Sequence, residues 1–202
     1  MALANYSNLQ TALTEWCDAR SDVSSNAADF IRLAEARLNQ KLRCREMVTS
    51  TDLTPTAGAV TLPTDFVGVV RVVEKSSPRR VLDYISPDGA DEMYDSSVTG
   101  SPYHFTIIGT SLKTYPQATN DIELTYYQEI PPLVTNSTNW LLTKYPNIYL
   151  EASQLEFYRW AKDYDNLDVS SRLLMSEIED IQAADDAGVF GNAARSNQGV
   201  NP

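Results

Sequence analysis

The chain is poor in the residues that most enzyme chemistry relies on. It holds one histidine, His104, in 202 residues. With no second histidine, His-rich metal sites are excluded. His104 itself sits in the alternating stretch "GSPYHFTII", which reads as a strand, so a sheet residue is expected there and not a general base, and a Ser–His triad has no support. The two cysteines, Cys17 and Cys44, are far apart and lack CxxC spacing. A disulfide framework is therefore not expected, and two small core residues made in a reducing cytoplasm are. Basic residues are scarce as well, 16 against 27 acidic, for a net charge of −11. That balance excludes a protein that wraps nucleic acid over its whole surface, whereas an acidic wall lets DNA pass without sticking. No stretch approaches the ~20 apolar residues of a membrane span. The start, "MALANYSNLQ", has no basic residue and does not read as a secretory signal. Neither common Gly-rich phosphate loop occurs, since "AGAV" and "IIGTS" are turn glycines. No cofactor and no metal are expected.

What is present is an orderly change of period. Ser7 or Asn8 is placed to cap a short helix carrying Leu9, Leu13 and Trp16. After "SDVSSN" a longer helix is predicted to about Leu42, with Ala27, Ile31, Ala34, Leu38 and Leu42 on one stripe and Phe30 beside it. Arg32, Glu35, Asn39 and Gln40 fall largely on its other faces. From Met47 to about Leu133 the chain is rich in Thr, Val, Ile and Tyr and punctuated by Pro and Gly, which reads as strands and turns. A hairpin is expected around Ala57–Gly58, further strands in "VGVVRVVEK", "RVLDYI", "YHFTIIG", "SLKTYP" and "DIELTYYQEI", and a short helix from Ser86-Pro87. Helical period returns at Pro146, breaks near Asp165–Asp168 and runs to about Ala184. The predicted class is α+β: a helical bundle formed by the N- and C-terminal helices, with an inserted antiparallel β-rich subdomain. The expected parts are residues 1–46 and 139–187 for the bundle, 47–138 for the insertion and 188–202 for a flexible tail.

Candidate chemistry is thin. Carboxylates cluster at Glu177, Glu179 and Asp180, and at Asp88, Asp91 and Glu92. Acids on an open helix face read as hydrated surface and not as a glycosidase pair across a cleft. Arg37, Lys41, Arg43 and Arg45 form one basic cluster and "EKSSPRR" another. Neither is interleaved with a stacking platform, so a docking surface or polar rim is expected.

The stretch "NWLLTKYPNIYLEASQLEFYRW" carries more information. Pro146 suits a first helical position. Ile148, Ala152 and Leu155 then form one narrow apolar stripe, and Tyr149, Leu150, Phe157, Trp160, Ala161 and Tyr164 a wider one. A helix apolar on two faces must bury both. Two readings fit: a central helix between neighbours of its own chain, or a subunit interface with Tyr149, Phe157, Trp160 and Tyr164 as candidate contacts. The tail "GVFGNAARSNQGVNP" is Gly- and Asn-rich but carries anchors at Val189, Phe190, Arg195 and Val200, as a segment does that folds onto a partner.

Four motifs in order, Leu62-Pro63-Thr64-Asp65-Phe66, the strand "GSPYHFTIIG", Tyr126-Tyr127 running into Ile130-Pro131-Pro132-Leu133, and Trp140-Leu141 before Tyr145-Pro146, resemble the head-to-tail adaptor (connector) proteins of tailed bacteriophages. The resemblance covers residues from about 50 to 165. It implies a non-enzymatic protein of the virion, made in the host cytoplasm, that forms a ring of about twelve copies beneath the dodecameric portal. It also implies a helical bundle with a β-rich insertion and a C-terminal extension docked on the portal as the docking tail. The implied partners are the portal ring, neighbouring copies, and a downstream tail or nozzle protein, with genomic DNA passing through the lumen without specific binding and no membrane. Two alternatives stay open: another neck or tail ring component, such as a tail terminator, and a virion-associated glycan hydrolase resting on a pair such as Asp91 with Glu92.

Overall fold

The computed structural model describes residues 3–95 and 97–190. Helices α1 (Tyr6–Trp16) and α2 (Ser21–Lys41) come first, and strands β1 (Val48–Leu53), β2 (Ala59–Thr61), β3 (Phe66–Glu74) and β4 (Arg80–Tyr84) follow. Helix α3 (Pro87–Met93) precedes β5 (His104–Ile108), β6 (Ser111–Tyr115) and β7 (Ile122–Gln128), and α4 (Trp140–Lys144), α5 (Pro146–Ala161) and α6 (Tyr164–Phe190) close the order. The class is α+β, as predicted. The chain divides into two compact units, a helical one of residues 1–46 with 130–202 and a β-rich one of residues 47–129.

The helical unit is built around α5. Helices α1, α2, α4 and α6 all pack on it, and nine of its residues are buried, from Ile148 to Phe157. The helix is central within its own chain. The predicted stripe of α2 is buried from Ala27 to Leu38, with Phe30 beside it. Three boundaries differ from expectation. Asn5, and not Ser7 or Asn8, caps α1, its side chain accepting from the Asn8 N–H at 2.9 Å. Helix α2 takes in "SDVSSN", starting at Ser21, where Asp22 is held by Arg20. The break between the last helices falls at Lys162–Asp163: Lys162 takes the left-handed conformation that ends α5, and Asp163 accepts from the Asn166 N–H at the start of α6.

The β-rich unit carries one seven-stranded sheet in the order β1-β7-β3-β4-β5-β6-β2. All neighbours pair antiparallel except β4 and β5, which are parallel and joined through α3. The hairpin expected at Ala57–Gly58 exists only as a tight turn. Thr56 and Ala59 exchange both backbone hydrogen bonds, at 2.8 and 3.1 Å, and Ala57 and Gly58 have φ of 49° and 71°, the backbone a two-residue turn of this hand demands. Yet β1 and β2 do not pair with each other; they are the two outer strands. A flat sheet of seven strands would hold its outer strands about 29 Å apart, while the chain from Leu53 to Ala59 reaches only ~20 Å. The sheet must therefore curl, and it curls over a core of Leu62, Val72, Leu82, Phe105, Leu112, Ile122, Leu124 and Tyr126.

The return to the helical unit comes at residue 130, nine residues before the expected boundary at 138/139. In "EIPPL" the prolines have no N–H, so Ile130 and Leu133 carry the donors that need partners. Helix α2 supplies both acceptors, one turn apart: Asn39 Oδ1 takes the Ile130 N–H at 2.9 Å and Glu35 Oε1 takes the Leu133 N–H at 2.8 Å. Glu35 thus corrects the expectation that it lies on an outer face, for it is buried.

Candidate functional site

Glu35 belongs to a polar network inside the bundle. Tyr149 is fully buried, and its hydroxyl donates to Glu35 Oε1 at 3.2 Å while accepting from Asn139 Nδ2 at 2.6 Å. The same Nδ2 donates to the Pro131 carbonyl at 2.8 Å, and Asn139 Oδ1 caps α4 by accepting from the Leu142 N–H. Burial pushes the Glu35 carboxyl above its ordinary range, against the two donors it accepts from, and burial likewise raises the Tyr149 phenol. The network fixes α2, α4, α5 and the 130–133 segment on one another. Its members bond one another, and Glu35 also lines a pocket of about 200 Å³ with Tyr6, Asp29 and Arg32.

The four interface candidates therefore separate. Tyr149 and Phe157 are core residues of the helical unit. Phe157 packs edge-on against Phe30 with ring centroids at 6.1 Å. Trp160 touches both rings, at 5.9 and 6.4 Å, yet stays 49% exposed, and Tyr164 is 69% exposed. Beyond them the first ten residues of α6, Tyr164 to Leu173, contain no buried side chain, although Val169 and Leu173 are apolar and more than half exposed. Only with Leu174, Ile178 and Ile181 does α6 reach the core. Of the tail anchors, Val189 and Phe190 fall in the last turn of α6, so helix extends past the expected start of a flexible tail at 188. Arg195 and Val200 lie outside the described residues.

The basic clusters are largely committed inside their own units. Arg37 pairs with the buried Glu156 at 2.6 Å, Arg45 with Asp185 at 3.1 Å, and Arg43 donates to the Asn39 and Leu42 carbonyls. In the β-rich unit Lys75 pairs with Asp52 at 2.7 Å and Arg79 with Glu123 at 2.8 Å. The Arg80 guanidinium lies 4.3 Å over the Tyr103 ring. Arg32 and Lys41 remain exposed on α2.

The carboxylate clusters lie on α3 and α6, where Glu177 and Asp180 line a pocket of about 240 Å³. Asp88, Asp91 and Glu92 are all exposed on α3, and of the three Asp91 alone lines the shallow cleft of about 190 Å³ beside Tyr94 and Tyr115. His104 is a strand residue whose Nδ1 meets the Tyr94 hydroxyl at 2.7 Å. The most buried carboxylate of the sheet, Glu74, accepts from Ser101 at 2.7 and 2.8 Å, Ser76 at 3.0 Å and Asn120 at 3.1 Å. Burial alone would raise its pKa, but those donors and Arg80 outweigh it and leave it lowered. Sequence reasoning missed Glu74, whose neighbours are scattered over the chain. Glu151 and Glu177 each keep one buried carboxylate oxygen without a hydrogen bond. Burial first, and then the charge of Glu177, raises the Glu151 pKa. Among the described residues no group of three or more His, Cys, Asp or Glu is arranged to hold a metal ion, and no helix is long and apolar enough to cross a membrane.

Two comparisons with known proteins complete the description. No curated protein matches the chain significantly. The family model described as SU10 adaptor protein matches residues 4–197, from the cap of α1 to beyond the end of α6. The match spans both units, and the chain belongs to the SU10 adaptor family of phage adaptor proteins.

Proposed function

We propose that this protein is a structural, non-enzymatic adaptor of the head-to-tail junction of a tailed-phage virion. About twelve copies form a ring under the portal, extend the DNA channel and give the tail its attachment platform. The observation that carries this reading is the family match over residues 4–197, nearly the whole chain. The physical features agree with it. The polar clusters around Glu35 and Glu74 hold the fold, while Leu33, Trp160, Val169 and Leu173 leave apolar surface exposed on helices, as interaction surfaces require. A net charge of −11 per copy, multiplied around a lumen, disfavours adhesion of passing DNA. The end of α6 with the residues after it, from Val189 and Phe190 to Arg195 and Val200, serves as the portal-docking element. Neighbouring copies and a downstream tail or nozzle protein complete the partner set.

Native mass spectrometry of the chain, alone and mixed with portal rings from the same virus, tests the reading. Capture in a fixed ratio of about twelve per portal supports it. A chain that ignores portal rings at micromolar concentration overturns it in favour of another neck role, such as a tail terminator. Removing residues 191–202 is expected to weaken capture while leaving the circular dichroism spectrum unchanged.

A further inference from the structure

Helices α2 and α6 pack on α5, and each leaves an outer face with exposed apolar side chains. On α2 that face carries Leu33, 52% exposed, and Ala36, with the exposed Arg32 and Lys41 as its bases, Arg37 being held by Glu156; Asp29 is the acid within it. On α6 the ridge of Val169 and Leu173, 56% and 52% exposed, is bordered by Asp165, Glu179 and Asp180, while Asp168 pairs with Arg172, the lone base of the helix. Each ridge follows helical spacing, i to i+4 from Val169 to Leu173 and i to i+3 from Leu33 to Ala36. One face is thus apolar with a basic border, the other apolar with an acidic border.

We infer that the basic face of α2 in one copy docks on the acidic face of α6 in the next copy. The occupant is a second copy of this chain because the chain itself presents both complementary halves, on different helices. Two different patches that fit each other make a heterologous contact, which propagates around a ring where an isologous one stops at a dimer. The charge pattern also sets the pairing. In a chain of net charge −11, two acidic α6 faces repel, so α6 against α6 is disfavoured and α6 against α2 is selected. The contact gives the unburied first half of α6 the tertiary packing on which helices mainly depend. This inference rests on the ring reading above and assigns the surfaces that would make the ring.

Charge reversal on the full-length chain tests it. Arg32→Glu and Asp165→Lys are each expected to weaken self-association by roughly tenfold or more, read by sedimentation velocity at concentrations up to roughly 100 µM. Both positions are exposed, so circular dichroism spectra should match wild type. An equimolar mixture of the two variants is expected to regain association, because every alternating contact then pairs opposite charges. Wild-type association that both single variants reproduce unchanged overturns the assignment of these faces but leaves the ring reading standing. Loss in both variants without recovery in the mixture overturns the direct α2–α6 pairing. A wild-type chain that stays monomeric over the whole concentration range overturns the inference, and portal capture of that same chain still decides the ring reading by itself.

Discussion

At Trp160 the indole both closes a cluster and faces solvent. It sits edge-on to Phe30, lies near Phe157, and remains 49% exposed. Trp160→Ala therefore removes aromatic pairing and partial burial, costing about 1–2 kcal/mol, where a fully buried tryptophan would cost about 3–5. Urea unfolding of the two proteins measures the difference. Glu74 presents the opposite case, a carboxylate with no exposed surface whose donors leave its pKa lowered. Its contribution is present above the ordinary glutamate pKa of 4.5 and is lost as pH falls through the lower folded value. Glu74→Ala strands the Ser76, Ser101 and Asn120 donors and is expected to destabilise by about 3 kcal/mol at neutral pH, as read by thermal melting. Neither residue advertises its role locally. A tryptophan near the end of a helix and a glutamate ending a strand look alike whether buried or bare.

At the scale of elements, the turn at Ala57–Gly58 is tightly constrained. A Cβ on Gly58 would lie 2.7 Å from the Gln117 Cα, at a φ of 71° that side chains already resist. Gly58→Ala combines left-handed strain of about 1–2 kcal/mol with a backbone clash. The expected outcome is a loss of at least that size in equilibrium unfolding, together with faster hydrogen exchange along β2 and β6. Helix α5 was legible as a helix and as apolar on two faces, from Pro146 and the spacing of its side chains. Which neighbours cover those faces was not legible, because a period reports only that a face is apolar. The same holds for Glu35 and Asn39. Their partners, Leu133 and Ile130, lie more than 90 residues away, and the only local hint was a Pro-Pro segment whose remaining N–H groups needed acceptors.

For the whole molecule, pH dependence follows from carboxyls shifted in opposite directions. Glu35 and Glu151 are raised, the first by burial and the second by burial and then by Glu177. A carboxyl raised in the fold binds its proton more tightly there than in the unfolded chain. Its stabilising effect is complete below pH 4.5 and disappears as pH rises through the folded value. Glu151→Gln removes that penalty, so it is expected to raise the melting temperature at neutral pH. The advantage should vanish near pH 4, the ordinary carboxylate range. A melting series against pH checks both the sign and the window. The proposed assembly belongs to this scale too, since the ridges on α2 and α6 stay exposed within the helical unit.

By itself, the sequence determined the class of most segments, though not the short helix α4, together with the order of helices, strands and helices, the apolar stripe of α2 and the family motifs. These depend on period, turn residues and composition, which act over a few residues. The tertiary structure decided that β1 and β2 become opposite outer strands of a curled sheet, and that Tyr149 and Phe157 lie inside while Trp160 and Tyr164 stay outside. It also decided that Arg37, Arg43 and Arg45 are spent on internal partners. Those outcomes turn on pairings between residues distant in the chain, and an apolar or charged side chain carries no local mark of the partner it will meet.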